Sequence, residues 1–191
     1  MKVMLAAGDA LVLADVQNDF LPGGSLAVSG GDEIVPLLNR YIALFHARGL
    51  PIFATRDWHP SDHCSFLQQG GPWPPHCIAG APGAALSSGL ELPSDTPIIS
   101  KATTREKEAY SGFEGTELNT LLRSSGTRRL FVGGLTAEYC VLSTVKDALR
   151  YRYTTFVLED ATRPINVRDG LVALEQMARL GAIPVRYEML T

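Results

Sequence analysis

Six short, almost wholly apolar runs alternate with amphipathic segments along the chain, and this alternation restricts the fold more than any other feature. The runs are Ala10–Val16, Pro51–Thr55, Pro97–Ser100, Arg129–Val132, Tyr153–Leu158 and Ile183–Tyr187. Short strands without polar alternation belong to sheets covered on both faces. Between the first two runs, Ile34, Leu37, Leu38, Tyr41, Ile42 and Phe45 recur at three- and four-residue spacing. A helix is predicted there, with Asp32 as N-cap, Gly49 just past its end and Pro51 barring continuation. A second helix is predicted over 138–150, with Val141, Leu142, Val145 and Leu149 on one face. A third is predicted over 167–180, with Leu171, Leu174 and Ala178 as apolar positions and Gly181 as its stop. Glu117–Leu122, closed by Gly126, supplies a fourth. Strands alternating with helices predict an α/β fold of three layers, α/β/α, around a mainly parallel, Rossmann-like sheet of about six strands with right-handed crossovers. With 191 residues and no repeat, low-complexity tract or linker, one domain over residues 1–191 is expected.

In such sheets ligands lie beyond the carboxyl ends of the strands, so the polar residues there are the candidates for chemistry. The first strand runs into Asp15-Val16-Gln17-Asn18-Asp19-Phe20. A carboxylate at the end of a buried strand must find a partner or shift its pKa, although Asp also favours turns for purely local reasons. The second strand ends in Thr55-Arg56-Asp57-Trp58-His59, and two-residue spacing in extended backbone puts Asp57 and His59 on one side. With His63 and His76, three of the four histidines fall within eighteen residues. Imidazole plus carboxylate suits zinc, iron or manganese, and three protein ligands with open positions describe a catalytic site. Asp57, His59 and His76 are therefore read as a metal group. His63 is a further candidate that could equally be an ordinary turn residue after Ser61-Asp62. Cys64 and Cys77 adjoin two of these histidines, but neighbouring His-Cys pairs are poorly placed to wrap one tetrahedral ion. His46, in the first helix, reads as surface or packing.

The third strand delivers Lys101, which matters only if it shares a cleft with a carboxylate and a thiol. The fourth leads through Gly133-Gly134-Leu135-Thr136-Ala137, read as a glycine-rich turn, to Cys140 in the first helical turn. Unpaired N–H groups and the helix dipole at such an end lower a thiol's pKa and can hold an oxyanion. A packed, inert cysteine is the other reading. His46 offers no obvious base, so a carboxylate is the expected one.

The charge content bears on partners. Charged residues make up 19%, the net charge is -3 and no Lys/Arg-rich run occurs, which argues against a nucleic-acid surface. No apolar run has bilayer length and no charged-then-apolar leader is present, so the cytoplasm, without membrane association, is expected. Three widely spaced cysteines fit a reducing compartment. A homo-oligomer is left open.

Taken in order, several segments resemble the nicotinamidases (pyrazinamidases), a branch of the isochorismatase-like cysteine hydrolases. They are Asp15 to Phe20 with Pro22-Gly23-Gly24-Ser25-Leu26, Asp57-Trp58-His59, Trp73-Pro74-Pro75-His76-Cys77, Lys101, Ala109-Tyr110-Ser111-Gly112-Phe113-Glu114-Gly115, and Gly133 to Cys140. The likeness spans essentially the whole chain, and the ordered set is what makes it specific. It implies an Asp15–Lys101–Cys140 triad, an oxyanion hole from the Thr136 and Cys140 N–H groups, and a cis Leu135–Thr136 peptide. It also implies metal ligation by Asp57, His59 and His76, with His63 ligating directly or through water, and zinc ahead of iron or manganese. Phe20, Trp73 and Tyr110 would line the substrate slot, whose rim is affected by a segment, 102–109, longer than in some relatives. The implied reaction is hydrolysis of nicotinamide to nicotinic acid and ammonia through a Cys140 thioester, the metal holding the pyridine ring, with pyrazinamide as a further small-molecule substrate. The alternatives are another small amide or a vinyl ether within the same class, and, outside it, a non-catalytic metal-binding module with an inert Cys140.

Overall fold

The computed structural model of the chain describes residues 2–191. Its strands are β1 (Asp9–Ala14), β2 (Ile52–Asp57), β3 (Ile98–Lys101), β4 (Arg129–Leu135), β5 (Thr154–Arg163) and β6 (Ile183–Val185). Its α-helices are α1 (Val35–His46), α2 (Leu118–Ser124), α3 (Leu142–Arg150) and α4 (Val167–Arg179). The strands form one sheet in the order β3-β2-β1-β4-β5-β6, every pairing parallel.

Side-chain alternation along β1 explains the three layers. Leu11 and Leu13 share one core with Leu38, Tyr41 and Phe45 of α1. Ala10 and Val12 share the other with Leu122, Val145 and Met177 from α2, α3 and α4. From β1 the chain steps outward to β2 and β3, then crosses to β4 on the other side of β1 and steps outward again. Keeping one hand of crossover through that reversal puts α1 on the opposite face from the other three helices. The reversal falls between β1 and β4, and a crevice opens there at the carboxyl ends of the strands.

Boundaries depart from expectation where a strand retains glycine or charge. Gly133 and Gly134 lie inside β4, not in a turn. The register shifts at this point, Gly134 has φ 125, and a Cβ there would run into the Ala14 backbone. β5 continues through Glu159 and Asp160 because Arg186 Nε donates to Glu159 at 2.5 Å and the Tyr41 hydroxyl to Asp160 at 2.8 Å. β6 stops at Val185, before a 3-10 turn at Tyr187–Met189. Asp32 does not cap α1 but opens a 3-10 turn, Asp32–Ile34, that leads into it. α4 is capped by Asn166, which accepts from the Arg168 and Asp169 N–H groups, and it buries Gly170, Ala173 and Met177, leaving Leu171 61% exposed. Among the described residues no helix is long and apolar enough to cross a membrane.

Candidate active site

Four strand ends meet in the crevice. β1 delivers Asp15, β2 Asp57, β3 Lys101, and the turn after β4 Cys140, all of them buried. Lys101 Nζ stands 2.9 Å from Asp15 Oδ2, 2.5 Å from Asp57 Oδ1 and 3.5 Å from Cys140 Sγ, and donates to the Ala109 carbonyl at 3.1 Å. A buried ammonium persists only with such compensation. Burial opposes its charge, but Asp15 and Asp57 outweigh it and hold Lys101 protonated well above the usual lysine range.

Asp15 Oδ1 accepts from the Thr55 hydroxyl at 2.5 Å, while Oδ2 is paired with the Lys101 ammonium. Burial raises the Asp15 carboxyl, Lys101 opposes that and Asp57 adds to it. The Cys140 thiol is pushed well above its usual range, by burial first and then by Asp15, with Lys101 acting the other way. This reverses the expectation from its place near a helix start: the resting group is the thiol, and its proton must leave as sulfur attacks. Asp15 is the available acceptor, since an Asp15 carboxylate oxygen and Cys140 Sγ lie within 4.8 Å of one another.

The chain enters α3 through a π-helical turn, Ala137–Val141. The Thr136 carbonyl accepts from Tyr139 N at 3.2 Å and Val141 N at 3.1 Å, stepping over the Cys140 N–H. The Leu135–Thr136 peptide is cis. Among the described residues four non-glycines have positive φ, and three belong to the site: Asp15 (φ 49), Ala102 after Lys101 (φ 52) and Cys77 after His76 (φ 48).

Asp57, His59 and His76 each offer a ligating atom within 4.8 Å of the others. His59 Nδ1 lies 3.0 Å from the His76 carbonyl and His76 Nδ1 2.8 Å from the Pro74 carbonyl. A ring nitrogen facing a carbonyl must carry the proton, which leaves Nε2 of each ring with its lone pair. His59 Nε2 is buried and unpartnered, 3.9 Å from Asp57 Oδ1 and 3.8 Å from Glu108 Oε1. Burial holds the His76 imidazole neutral; at His59 burial acts the same way but Glu108 and Asp57 outweigh it. Carboxylates gathered around a free imidazole nitrogen fit a divalent cation. His63 does not join this group. Its Nδ1 is 2.8 Å from Ser65 Oγ, its Nε2 3.1 Å from the Lys107 carbonyl, and its ring packs 4.3 Å from that of His59. A second grouping, His59 with His63 and Glu108, depends on the same His59, and neither Cys64 nor Cys77 enters either one.

A small cavity opens onto Cys140, and Phe20, Trp73 and Tyr110 line it. Leu26, Tyr139 and Ile165 line it too, although sequence reasoning did not single them out. Trp73 Nε1 donates to the Tyr110 hydroxyl at 3.0 Å, and Tyr139 meets Trp73 edge-on at 5.0 Å. Tyr139 was detectable as the aromatic beside Cys140; Glu108 and Thr55 gave no comparable signal. A wider cleft of about 970 Å³, beside the amino-terminal ends of β2 and β3, has only His46 and Asp95 as ionisable lining.

The isochorismatase domain, as a protein family, matches residues 9–189. Nicotinamidase of Escherichia coli (strain K12) is 35% identical over 196 residues, covering 91% of this chain and 92% of its own. The crystal structure of pyrazinamidase of Pyrococcus horikoshii in complex with zinc is 47% identical with a TM-score of 0.92, over 94% of this chain and 99% of that one. That of PnC1 from L. infantum in complex with nicotinate is 35% identical with a TM-score of 0.93, over 100% and 99%. A family match that spans the whole sheet, together with structural likeness at these identities, shows that the chain belongs to the isochorismatase-domain family.

Proposed function

We propose that this chain is a cytoplasmic nicotinamidase, one hydrolase domain that converts nicotinamide to nicotinic acid and ammonia and accepts pyrazinamide as a second substrate. The observation that carries the reading is the buried contact of Lys101 with both Asp15 and Cys140, next to the Asp57, His59 and His76 group. The nicotinamidase and pyrazinamidase relatives and the nicotinate complex support the substrate class.

Asp57, His59 and His76 would hold a divalent ion, zinc ahead of iron or manganese, whose open positions supply a Lewis acid for the ring nitrogen. Phe20, Trp73, Tyr110 and Tyr139 pack on the ring and keep water out. Lys101 favours the ionised form of Asp15 before attack and stabilises charge developing on sulfur. Cys140 Sγ then bonds to the carboxamide carbon as its proton passes to Asp15 and the carbonyl π pair moves to oxygen. The Thr136 and Cys140 N–H groups donate to that oxyanion, each such donor contributing about 3–4 kcal/mol in comparable sites. Collapse breaks the C–N bond, Asp15 returns the proton to nitrogen, and ammonia leaves a thioester. Water attacks the thioester and gives a proton to Asp15; the C–S bond breaks and the proton returns to sulfur.

Ammonia release from nicotinamide tests this directly. Wild type should release it, chelator-treated protein should not until a divalent metal is restored, and Cys140→Ala should lose roughly 10⁴-fold or more. Undiminished hydrolysis by Cys140→Ala sinks the mechanism, and turnover of another amide in place of nicotinamide reassigns the substrate.

A further inference from the structure

We infer that Gln17 and Asp19 are positioning residues that set the spacing of the Asp57, His59 and His76 group, an inference that rests on the metal reading above. The need for them arises where β1 leaves the sheet. Regular pairing of β1 with β2 ends at Leu13 and Ala54, one further backbone bond joins Asp15 N to the Thr55 carbonyl at 3.3 Å, and the left-handed φ of Asp15 then turns the chain away. Buried backbone polar groups need partners, and on this side of Asp57 a side chain provides them. Gln17 Oε1 accepts from the Asp57 N–H at 2.8 Å, and Nε2 donates to the Asp57 carbonyl at 2.8 Å and to the Ala84 carbonyl at 2.9 Å. Gln17 is fully buried. A primary amide offers donor and acceptor in peptide-like geometry, so this side chain continues the ladder that β1 has abandoned.

Two residues on, Asp19 does the same for the opposite side of the group. Its Oδ2 accepts from the Cys77 N–H at 2.7 Å and its Oδ1 from the Ser25 N–H at 3.2 Å. Cys77 directly follows His76 and is held at φ 48, a conformation that persists only when its surroundings enforce it. The Cys77 carbonyl in turn accepts from the His59 N–H at 2.9 Å. Asp19 thus grips the His76–Cys77 peptide, whose own carbonyl faces His59 Nδ1 at 3.0 Å. Neither Gln17 nor Asp19 lines the cavity. Alternate residues of one segment therefore serve three tasks: Asp15 pairs with Lys101, Gln17 fixes Asp57, and Asp19 fixes the His76–Cys77 backbone.

The test measures zinc affinity of the full-length metal-free protein by competition with a chromophoric chelator, alongside its melting temperature. Gln17→Met, which keeps the bulk and loses all three hydrogen bonds, should weaken zinc binding about 10–100-fold, and Asp19→Ala should act in the same direction. Activity lost by either variant at limiting zinc should recover in large part at saturating zinc. Leu122→Ala, in the α2 core, should lower the melting temperature and leave the zinc affinity unchanged. If Gln17→Met does not fold, Gln17→Glu keeps the acceptor for the Asp57 N–H, loses both donors and should also weaken zinc binding. Zinc affinity within about twofold of wild type in the Gln17 and Asp19 variants, with only the melting temperature reduced, would overturn the inference. Failure of the wild type to bind zinc would instead overturn the metal reading, and this inference with it.

Discussion

Replacing Lys101 by Met isolates the charge balance at the centre of the site. The variant keeps an unbranched buried side chain but loses the ammonium that lies 2.9 Å from Asp15 and 2.5 Å from Asp57. At an effective dielectric of about 20, each contact represents a gross Coulomb attraction of about 6 kcal/mol. Desolvation takes back several kcal/mol per buried ion, so the intact cluster contributes far less than that sum suggests. Removing only the cation leaves the carboxylates desolvated and uncompensated, and about 3–5 kcal/mol of stability should be lost. Against a typical domain stability of about 5–15 kcal/mol, the protein should remain folded near the threshold. Asp15 sets the sign of the pH dependence. Its carboxyl is already raised in the fold and should rise further without Lys101. A raised folded-state pKa gives stability that is present below the unfolded value and is lost as pH climbs through the folded one. The deficit of Lys101→Met relative to wild type should therefore be largest near about pH 7 and shrink toward about pH 4. Urea denaturation of the metal-free proteins across that range measures it. The double variant Lys101→Met/Asp15→Asn should recover a substantial part of the loss, because the orphaned carboxylate goes with its cation. A deficit below about 1 kcal/mol, or one that grows on acidification, would refute the reasoning.

Two further outcomes follow from neighbouring groups. Asp15→Asn removes the carboxylate that, after burial, does most to raise the Cys140 thiol. Thiolate absorbance should then appear at lower pH than in wild type even though hydrolysis is lost, and an unchanged or higher titration would contradict the assignment. At Tyr41, burial first and then the hydrogen bond to Asp160 raise the hydroxyl well above its usual range. Its contribution is thus present below about pH 10 and lost above, so wild type should lose stability faster than Tyr41→Phe in alkali, while Tyr41→Phe loses about 0.5–1.5 kcal/mol at neutral pH. Parallel alkaline unfolding curves would contradict that.

The sheet was legible because the central stretch of each strand is apolar, the competing glycines and charges lying toward the ends of β4 and β5. Every residue of β1 is buried, and a continuous apolar run has few other places to go. Asp15, Asp57, Lys101 and Cys140 were legible as candidate positions for a related reason, since parallel strands send their carboxyl ends to one edge, while the triad itself was implied by the family resemblance. The rest depended on partners supplied by distant segments. The direction of the Cys140 shift was misread because a helix-end argument considers one element, whereas burial by the whole crevice, and after it the Asp15 charge arriving from β1, raises the thiol. Gln17 looked unremarkable because its meaning lies in the backbone of Asp57, forty residues away. Gly133 and Gly134 suggested a turn by residue type, although Gly134 accommodates the close approach of the Ala14 backbone on β1 and Gly133 that of Leu158 and Ala161 on β5. His63 carried the right chemistry and offers a ligating atom together with His59 and Glu108, while Ser65 and the Lys107 carbonyl lie against its two nitrogens.

The left-handed residues around the site bear on how such a protein can be changed. A non-glycine side chain in that region costs about 1–2 kcal/mol, a penalty that glycine escapes. Ala102 therefore marks a place where glycine would relieve backbone strain, directly beside Lys101, whereas at Cys77, buried in the core beside His76, the lost side chain would offset that relief. Glycine at Ala102 would also free the backbone next to Lys101, so the relief and the loss of precision would come from the same atom. Position 15 is more constrained still. Asp and Asn tolerate this backbone best among residues with a side chain, so glutamate, with the same charge, is no conservative replacement. The local chain geometry narrows the choice of acid there before any requirement of the reaction is considered.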